Sequence, residues 1–375
     1  MNAKKKLLIF YKYLSPYRMD TYNALAKAFE TKVVLTAGDE ELSTLGYDLE
    51  MVNQQAEFQF HYHTKGFRLG GHPVSLMYYR VVKEFKPDIV LACELGVNVL
   101  AAILLRPFFK YKLYTAVDDS PKLMIDYYKG LRKHLRKFVI RHTDGLIVVN
   151  PQVRDYYAQN FKSRRSRHYY LPIIYDEQTL AEKYTDALPL SRQIFEKYDF
   201  RGKKIVLFVG RFEKIKVPGL LLKVFHELYK NDSNLRLIFI GSGTLENEIK
   251  EYVESNKLNH AVLFPGRLTG KELYAWYNIG QVLALPSILD RFGAVVNESL
   301  AGGCKVVVSD SIGATCLVDG NNGRIFKTND FDDFKRALSQ TLDEMECLDT
   351  IAYRNSKMNI SFSTIVQNFV NFLET

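Results

Sequence analysis

The stretch Pro286–Gly303 reads PSILDRFGAVVNESLAGG, and its two carboxylates, Asp290 and Glu298, stand eight positions apart. An apolar run, LRLIFI (Leu235–Ile240), lies upstream, and another, KVVVSD (Lys305–Asp310), follows directly. Short apolar runs bounded by turn residues read as strands buried on both faces. Between them, Gly293 to Leu300 has the spacing of a helix that buries one side. A strand ending near Pro286, a loop carrying Asp290 and a helix entered at Gly293 make one unit of a parallel α/β fold. Glu298 then sits about two turns into the helix, roughly 12 Å along the axis from Asp290. Such a helix aims its N-terminal amides, with their partial positive charge, past the strand ends. Amides suit phosphate oxygens, and carboxylates accept hydrogen bonds from sugar hydroxyls.

The same pattern extends upstream. KIVLFV (Lys204–Val209) reads as a buried strand, followed by Gly210-Arg211 and then Lys216 before an apolar helix. Gly at a strand end permits a tight turn. Arg supplies a planar fork and Lys a point charge for a pyrophosphate. Leu235–Ile240 ends in Gly241-Ser242-Gly243-Thr244-Leu245, and Val262–Pro265 leads to Gly266-Arg267.

The first half repeats the alternation. KLLIF (Lys6–Phe10) is a strand, YKYLSPYR (Tyr11–Arg18) a loop, and Met19–Phe29 a helix. Arg18 therefore follows a strand end, where open α/β sheets bind ligands. Lys112–Val117 is a strand that ends in Asp118-Asp119, which places two acids at the same level. Gly70-Gly71 lacks the G-x-G-x-x-G frame of a dinucleotide site. Tyr127–His142 reads as one helix with an apolar stripe (Leu131, Leu135, Phe138, Val139) and a basic remainder that includes Arg132, Lys133, Arg136 and Lys137. Gly145–Val149 is expected to be the last strand of the domain. A second basic cluster, FKSRRSRH (Phe161–His168), reads as a loop, and the polar stretch from Leu171 to Pro189 as a linker.

Length and composition set bounds. The 375 residues exceed what a single core supports, so two domains are expected, 1–180 and 181–359, followed by an amphipathic helix within 360–375. Cys93, Cys304, Cys316 and Cys347 show no C-x-x-C spacing, so neither a zinc site nor a redox pair is indicated. Asp118-Asp119 is not D-x-D, and no metal site is assigned. No apolar run approaches the ~20 residues of a membrane span, and Lys4-Lys5-Lys6 leads into too short an apolar run for a secretory leader. The net charge of +9 lies wholly in residues 1–180, which hold 27 basic and 18 acidic residues. That asymmetry leaves nucleic acid and an anionic lipid surface as candidate partners.

Pro286, Ser287, Asp290, Phe292, Gly293, Val295, Glu298, Ala301 and Gly303 resemble the signature of family 4 of the retaining glycosyltransferases, PS-x-x-E-x-FG-x-V-x-x-E-A-x-A-x-G-x-PV. Gly210, Arg211 and Lys216 match its GR-x-x-x-x-KG, and Gly241–Leu245 its G-x-G-x-L. Pro16-Tyr17-Arg18 with Asn23–Lys27 matches a segment near the start of many members. The departures from the pattern include Asp290 for Glu, Lys305 near the usual Pro, Val217 for Gly, and Asp118 for the usual His.

The resemblance implies a GT-B fold, two doubly wound, Rossmann-like parallel-sheet domains facing across a cleft, with helix 360–375 crossing back to the first domain. It implies transfer of a hexose, with retention, from a nucleotide-diphospho-sugar, UDP favoured over GDP. The acceptor would be a glycan or a lipid-linked glycan of bacterial envelope polysaccharide synthesis, such as lipopolysaccharide or capsule. In that reading Arg211 and Lys216 neutralise the leaving diphosphate. Asp290, Phe292 and Gly293 hold the hexose, Glu298 the ribose, and Gly266-Arg267 lie by the base. Gly210 and Gly241 shape the donor pocket, Asp118 acts from the first domain, and Arg18 and Asp119 face the acceptor. No metal or cofactor is required. The protein would be cytoplasmic, either free or peripheral on the inner face of the cell membrane. Rival readings are a GT-B epimerase or phosphorylase, or a basic nucleic-acid-binding protein. The acid-x7-Glu frame argues against the epimerase and the short chain against the phosphorylase.

Overall fold

A computed structural model describes residues 3–43, 48–64, 67–69, 72–127, 130–161 and 167–375. The chain forms two compact units, Met1–Ile174 with Phe362–Thr375, and Tyr175–Ser361. The Gly70-Gly71 pair and most of the second basic cluster lie outside the described residues.

The first unit is built on β1 (Lys6–Tyr11), β2 (Glu30–Leu35), β3 (Gln59–Tyr62), a small antiparallel hairpin of β4 (Arg68–Leu69) and β5 (His72–Pro73), then β6 (Ile89–Cys93), β7 (Lys112–Val117), β8 (Gly145–Val148) and β9 (Arg167–Tyr170). Apart from the hairpin these strands form one parallel sheet in the order β3-β2-β1-β6-β7-β8-β9. Leu7, Leu8, Ile9 and Phe10 are all completely buried, as a central strand covered on both faces requires. The final helix, Phe362–Glu374, lies in this unit, where Phe369 and Phe372 stack on Tyr169 of β9.

The second unit carries β10 (Lys204–Val209), β11 (Leu235–Ile240), β12 (Val262–Gly266), β13 (Val282–Leu285), β14 (Lys305–Ser309) and β15 (Gly323–Phe326), all parallel, in the order β12-β11-β10-β13-β14-β15. Phe208, Phe212 and Phe239 pack ring against ring in its core. In each sheet the winding reverses beside the first strand, at β1/β6 and at β10/β13. Those crevices are where doubly wound sheets bind ligands. The architecture is the two-sheet, doubly wound α/β one expected.

Four local expectations are corrected. The stretch 171–189 is no linker, because Glu177–Lys197 is a helix. Asp176 caps it by accepting from the amides of Gln178 and Thr179, and Leu180, Tyr184, Ala187, Ser191 and Phe195 bury one face. Pro189 sits inside that helix. β9, and not Gly145–Val149, ends the first sheet; it pairs in parallel with β8. Arg18 lies not in a loop but in the first turn of the helix Pro16–Ala28, where Pro16 suits the first helical position. Among the described residues, Pro121–Tyr127 is helical and the expected basic helix runs over Gly130–His142. On the second, Val139 and Leu135 turn inward while Leu131 and Phe138 turn out. Arg136, expected on its basic face, is buried.

Candidate functional site

Backbone contacts shape the switch point of the second sheet. Gly241 has φ +143, and a Cβ there would sit 1.9 Å from the Gly210 carbonyl oxygen, so any side chain at 241 would collide with backbone. Gly243 is equally constrained, since its Cβ would lie 2.6 Å from the Phe212 carbonyl oxygen. Three hydrogen bonds close the two loops on each other. The Gly210 amide donates to Ile240 at 3.0 Å, that of Phe212 to Ser242 at 2.9 Å, and that of Leu245 to Phe212 at 2.9 Å. The Gly241 amide donates to the Gly266 carbonyl at 2.9 Å, which brings the end of β12 into the same platform. Gly210, Gly241 and Gly266, named from sequence, are thus neighbours across three strand ends. Gly243 belongs with them, and the G-S-G spacing was its signal. Glu213 also holds the platform, accepting from the Thr244 hydroxyl at 2.9 Å. Arg211 and Arg267 are exposed at its rim.

Lys216 and Asp290 meet across the reversal. Lys216 comes from the loop after β10 and Asp290 from the loop after β13, and they form an ion pair with side chains 14% and 17% exposed. The loops are joined by the Ile288 amide donating to the Ile215 carbonyl at 2.9 Å. Behind Asp290, the Ala314 amide donates to the Phe292 carbonyl at 2.7 Å, and a Cβ on Gly313 would lie 2.2 Å from the Arg291 carbonyl oxygen. Phe292 itself is buried. It anchors the loop, and Gly293 beside it is buried as well, where a Cβ would lie 3.5 Å from Asp290 Oδ2. An ammonium already neutralised by a carboxylate is a site for exchange. A diphosphate can take the ammonium and a sugar hydroxyl the carboxylate.

Gly293 caps the helix Ala294–Ala301 at φ +94, a left-handed conformation natural to glycine. The helix starts one residue later than the spacing suggests, and Glu298 lies little more than one turn into it, not two. Its carboxylate is held from both sides. Tyr175 donates to Oε1 at 3.1 Å and Tyr277 to Oε2 at 2.8 Å, while the Tyr184 hydroxyl donates to the Glu298 carbonyl at 2.6 Å. Burial pushes the Glu298 carboxyl above the usual range; the bonds from Tyr277 and Tyr175 and the charge of Lys183 pull it back. No sequence signal pointed to these tyrosines, which lie 21 to 123 residues from Glu298 along the chain.

The first unit places its candidates differently. Arg18 is 6% exposed and pairs with Asp118 beside β7. Both line a small cavity with Tyr11, Tyr22 and Cys93 at the β1/β6 reversal. Asp119 faces the interior, since successive residues of extended backbone point to opposite sides. It is 5% exposed, and its Oδ2 accepts from Arg136 at 2.9 Å and Tyr157 at 2.7 Å. That takes Asp119 out of the acceptor-side set and makes it an internal anchor. Burial first, then the charge of Asp119, raises the Tyr157 phenol well above its ordinary value.

Residues 191–358, which hold all the second-unit candidates, match the family model of glycosyl transferases group 1. The match covers less than half of the chain and makes this segment similar to that family. An uncharacterized glycosyltransferase of Methanocaldococcus jannaschii is 26% identical over 241 residues, 62% of this chain and 57% of that protein. The D-inositol 3-phosphate glycosyltransferase of Corynebacterium diphtheriae is 32% identical over 149 residues, 38% of this chain and 35% of that one. The chain thus matches less than two thirds of the length of either relative. Among solved structures, HepE of Anabaena in complex with UDP superposes with a TM-score of 0.74 at 15% identity, covering 98% of this chain and 99% of that one. The lipopolysaccharide outer core galactosyltransferase WaaB superposes at 0.66 and 14% identity, covering 99% and 100%. These likenesses fix the fold as GT-B. No helix among the described residues is long and apolar enough to cross a membrane.

Proposed function

We propose that the protein is a retaining hexosyltransferase using a nucleotide-diphospho-sugar, with UDP-sugar as donor and a glycan or lipid-linked glycan of envelope polysaccharide synthesis as acceptor. The observation that carries this is the convergence of Lys216 and Asp290 at the β10/β13 reversal, beside the Gly210–Gly241–Gly266 platform. The platform is bare backbone, so a flat, charged group can approach it closely. Lys216, with Arg211 from the rim, supplies positive charge where the diphosphate leaves, which is stabilisation of charge that develops in the transition state. Asp290 accepts from hydroxyls of the hexose. Glu298, already oriented by two phenols, accepts from the ribose. In the transfer, the bond from the anomeric carbon to the diphosphate oxygen breaks, and the acceptor oxygen bonds the same carbon on the same face. The acceptor's proton passes to the departing phosphate oxygen, so no protein base enters the step. HepE, which shares the fold, has been solved with UDP, which supports the choice of base. In this reading the enzyme is peripheral to the inner face of the cell membrane, where a lipid-borne acceptor lies.

Thermal unfolding with a panel of nucleotides and nucleotide-sugars tests the proposal. A ligand that binds only the folded state raises Tm. UDP and one UDP-sugar should do so, GDP less, and single-stranded nucleic acid should not compete. Transfer should persist in EDTA, with the basic residues acting on the diphosphate where a cation otherwise would. No shift with any nucleotide diphosphate would end the proposal.

A further inference from the structure

The helices Met77–Phe85, Val97–Phe109 and Gly130–His142 share one hydrophobic core in the first unit, in which Tyr78, Val82, Val99, Ala102 and Val139 are buried. Their opposite faces are also apolar. Leu104 is 73% exposed, Phe108 78%, Leu131 88%, Phe138 44% and Tyr79 43%. Leu104 and Phe108 are four apart and Leu131 and Phe138 seven apart, so each pair lies on one side of its helix, away from the buried positions. The Tyr79 ring touches Phe109 with centroids 5.8 Å apart, which ties the first helix to the second. Large apolar side chains gathered on one outer face are an interaction surface.

The charge around this face selects the occupant. The three helices carry eight Lys and Arg and a single acid, Glu84. Arg106 and Arg136 are spent on internal partners, Asp144 and Asp119. Arg80, Lys83, Arg132, Lys137 and Arg141 are exposed on the same helices as the apolar residues. An apolar face rimmed by long cationic side chains matches a surface with anionic headgroups over hydrocarbon. We infer that this face inserts into an anionic lipid bilayer, with Leu104, Phe108 and Leu131 entering the acyl boundary and the basic rim holding headgroups. This rests on the peripheral reading above and changes its basis, from basic clusters alone to an apolar wedge with a basic rim.

The test is flotation of the full chain with vesicles of phosphatidylcholine alone and of phosphatidylcholine and phosphatidylglycerol in equal parts, at low and high salt. The wild type should float with the anionic vesicles and only weakly with the neutral ones. Combined Leu104→Ser, Phe108→Ser and Leu131→Ser should lower partitioning by roughly a hundredfold even at low salt, from the lost apolar burial. Arg132→Glu with Lys137→Glu should lower it by about tenfold or more, and less at high salt. All these positions are exposed, so Tm and the UDP-induced shift should match the wild type. Retained shift with lost flotation separates docking from donor binding; absence of any shift in the wild type would overturn the enzyme reading alone. Undiminished flotation of the triple Ser variant would overturn the wedge. So would a wild-type dimer by light scattering that the triple variant turns into a monomer, because the face would then cover a second copy.

Discussion

The two sheets follow the same winding and differ in what their strand ends do with charge. At the β10/β13 reversal, Lys216 and Asp290 neutralise each other at the mouth of a glycine platform, each with some solvent access. Near β7 of the first sheet, Asp119 and Arg136 neutralise each other inside the domain, with Tyr157 as a third partner. Beside them Asp118 and Arg18 pair against a cavity. The first arrangement can be opened by a ligand at little cost, since water and ligand replace what is lost. The second cannot, because breaking it strands a charge in a low-dielectric interior. On the proposed reading, acid–base pairs alike in composition serve binding in one unit and stability in the other.

The largest expected effect tests the internal pair. Asp119→Ala should cost about 3–5 kcal/mol of folding stability, the scale for a buried pair that loses one partner. Urea unfolding followed by circular dichroism would read it. Asp119→Leu with Arg136→Met, which removes both charges, should recover most of the loss. A loss under about 1 kcal/mol would put the pair in the class of solvated surface pairs.

Next come the open groups. Lys216→Ala and Arg211→Ala should each lower turnover by roughly 10²-fold, the scale for one donor to a developing oxyanion, with Tm changed by little. Steady-state kinetics beside thermal unfolding distinguishes the two kinds of loss. If Lys216→Ala costs stability and spares turnover, the contrast between the two pairs collapses.

How far this contrast is legible in the sequence depends on distance along the chain. KIVLFV and LRLIFI declare themselves because a strand buried on both faces is apolar throughout. The glycines declare themselves because backbone approach admits nothing else. Asp118 and Asp119 are identical in sequence, and only the alternation of extended backbone sends one to the cavity and the other inward. Arg136 sits in a basic run whose other members are exposed or half-buried, and its partner is 17 residues away. The helix Glu177–Lys197 escapes notice because it is polar on its outer face and contains Pro189. β9, reading RHYY, is too short and too polar at its start to announce a strand. Tyr175, Tyr184 and Tyr277 converge on Glu298 only through the tertiary fold.

Glu298 offers a smaller and more pointed test. In the proposed reading, ribose binding needs the ionised form of Glu298. Burial raises the carboxyl's pKa, so donor affinity should fall on the acid side at a pH above the ordinary carboxylate range. For folding the sign is opposite to that of a stabilised carboxylate: the raised pKa favours the fold at low pH, and that contribution fades as pH rises through the folded-state value. Tyr277→Phe removes a donor that favours the ionised form. The acid limb of donor binding should therefore move to higher pH, with affinity at high pH reduced only several-fold. Calorimetric titration with UDP across pH reads both. An acid limb that stays in place would mean that Tyr277 does not tune the carboxylate.

The smallest expected effect concerns the two strand-to-helix turns of the site. Both use a residue in the left-handed region just before the helix: Gly293 at φ +94 and Val217 at φ +49. Glycine takes that conformation without strain. For a β-branched residue the Cβ crowds the following carbonyl, at a cost of about 1–2 kcal/mol. Pro218 follows and restricts the backbone further. Val217→Gly should relieve that strain while adding about 0.5–1 kcal/mol of unfolded-chain entropy. The net gain is then about 0.5–1 kcal/mol, or roughly 2 °C in Tm for a unit of this size. Lys216 precedes the turn, and its pairing with Asp290 does not depend on the valine side chain, so KM for the donor should hold. A lower Tm would show that the packing of Val217 outweighs its backbone cost. A higher Tm with a raised KM would show instead that the strained turn is what aims Lys216 at the crevice.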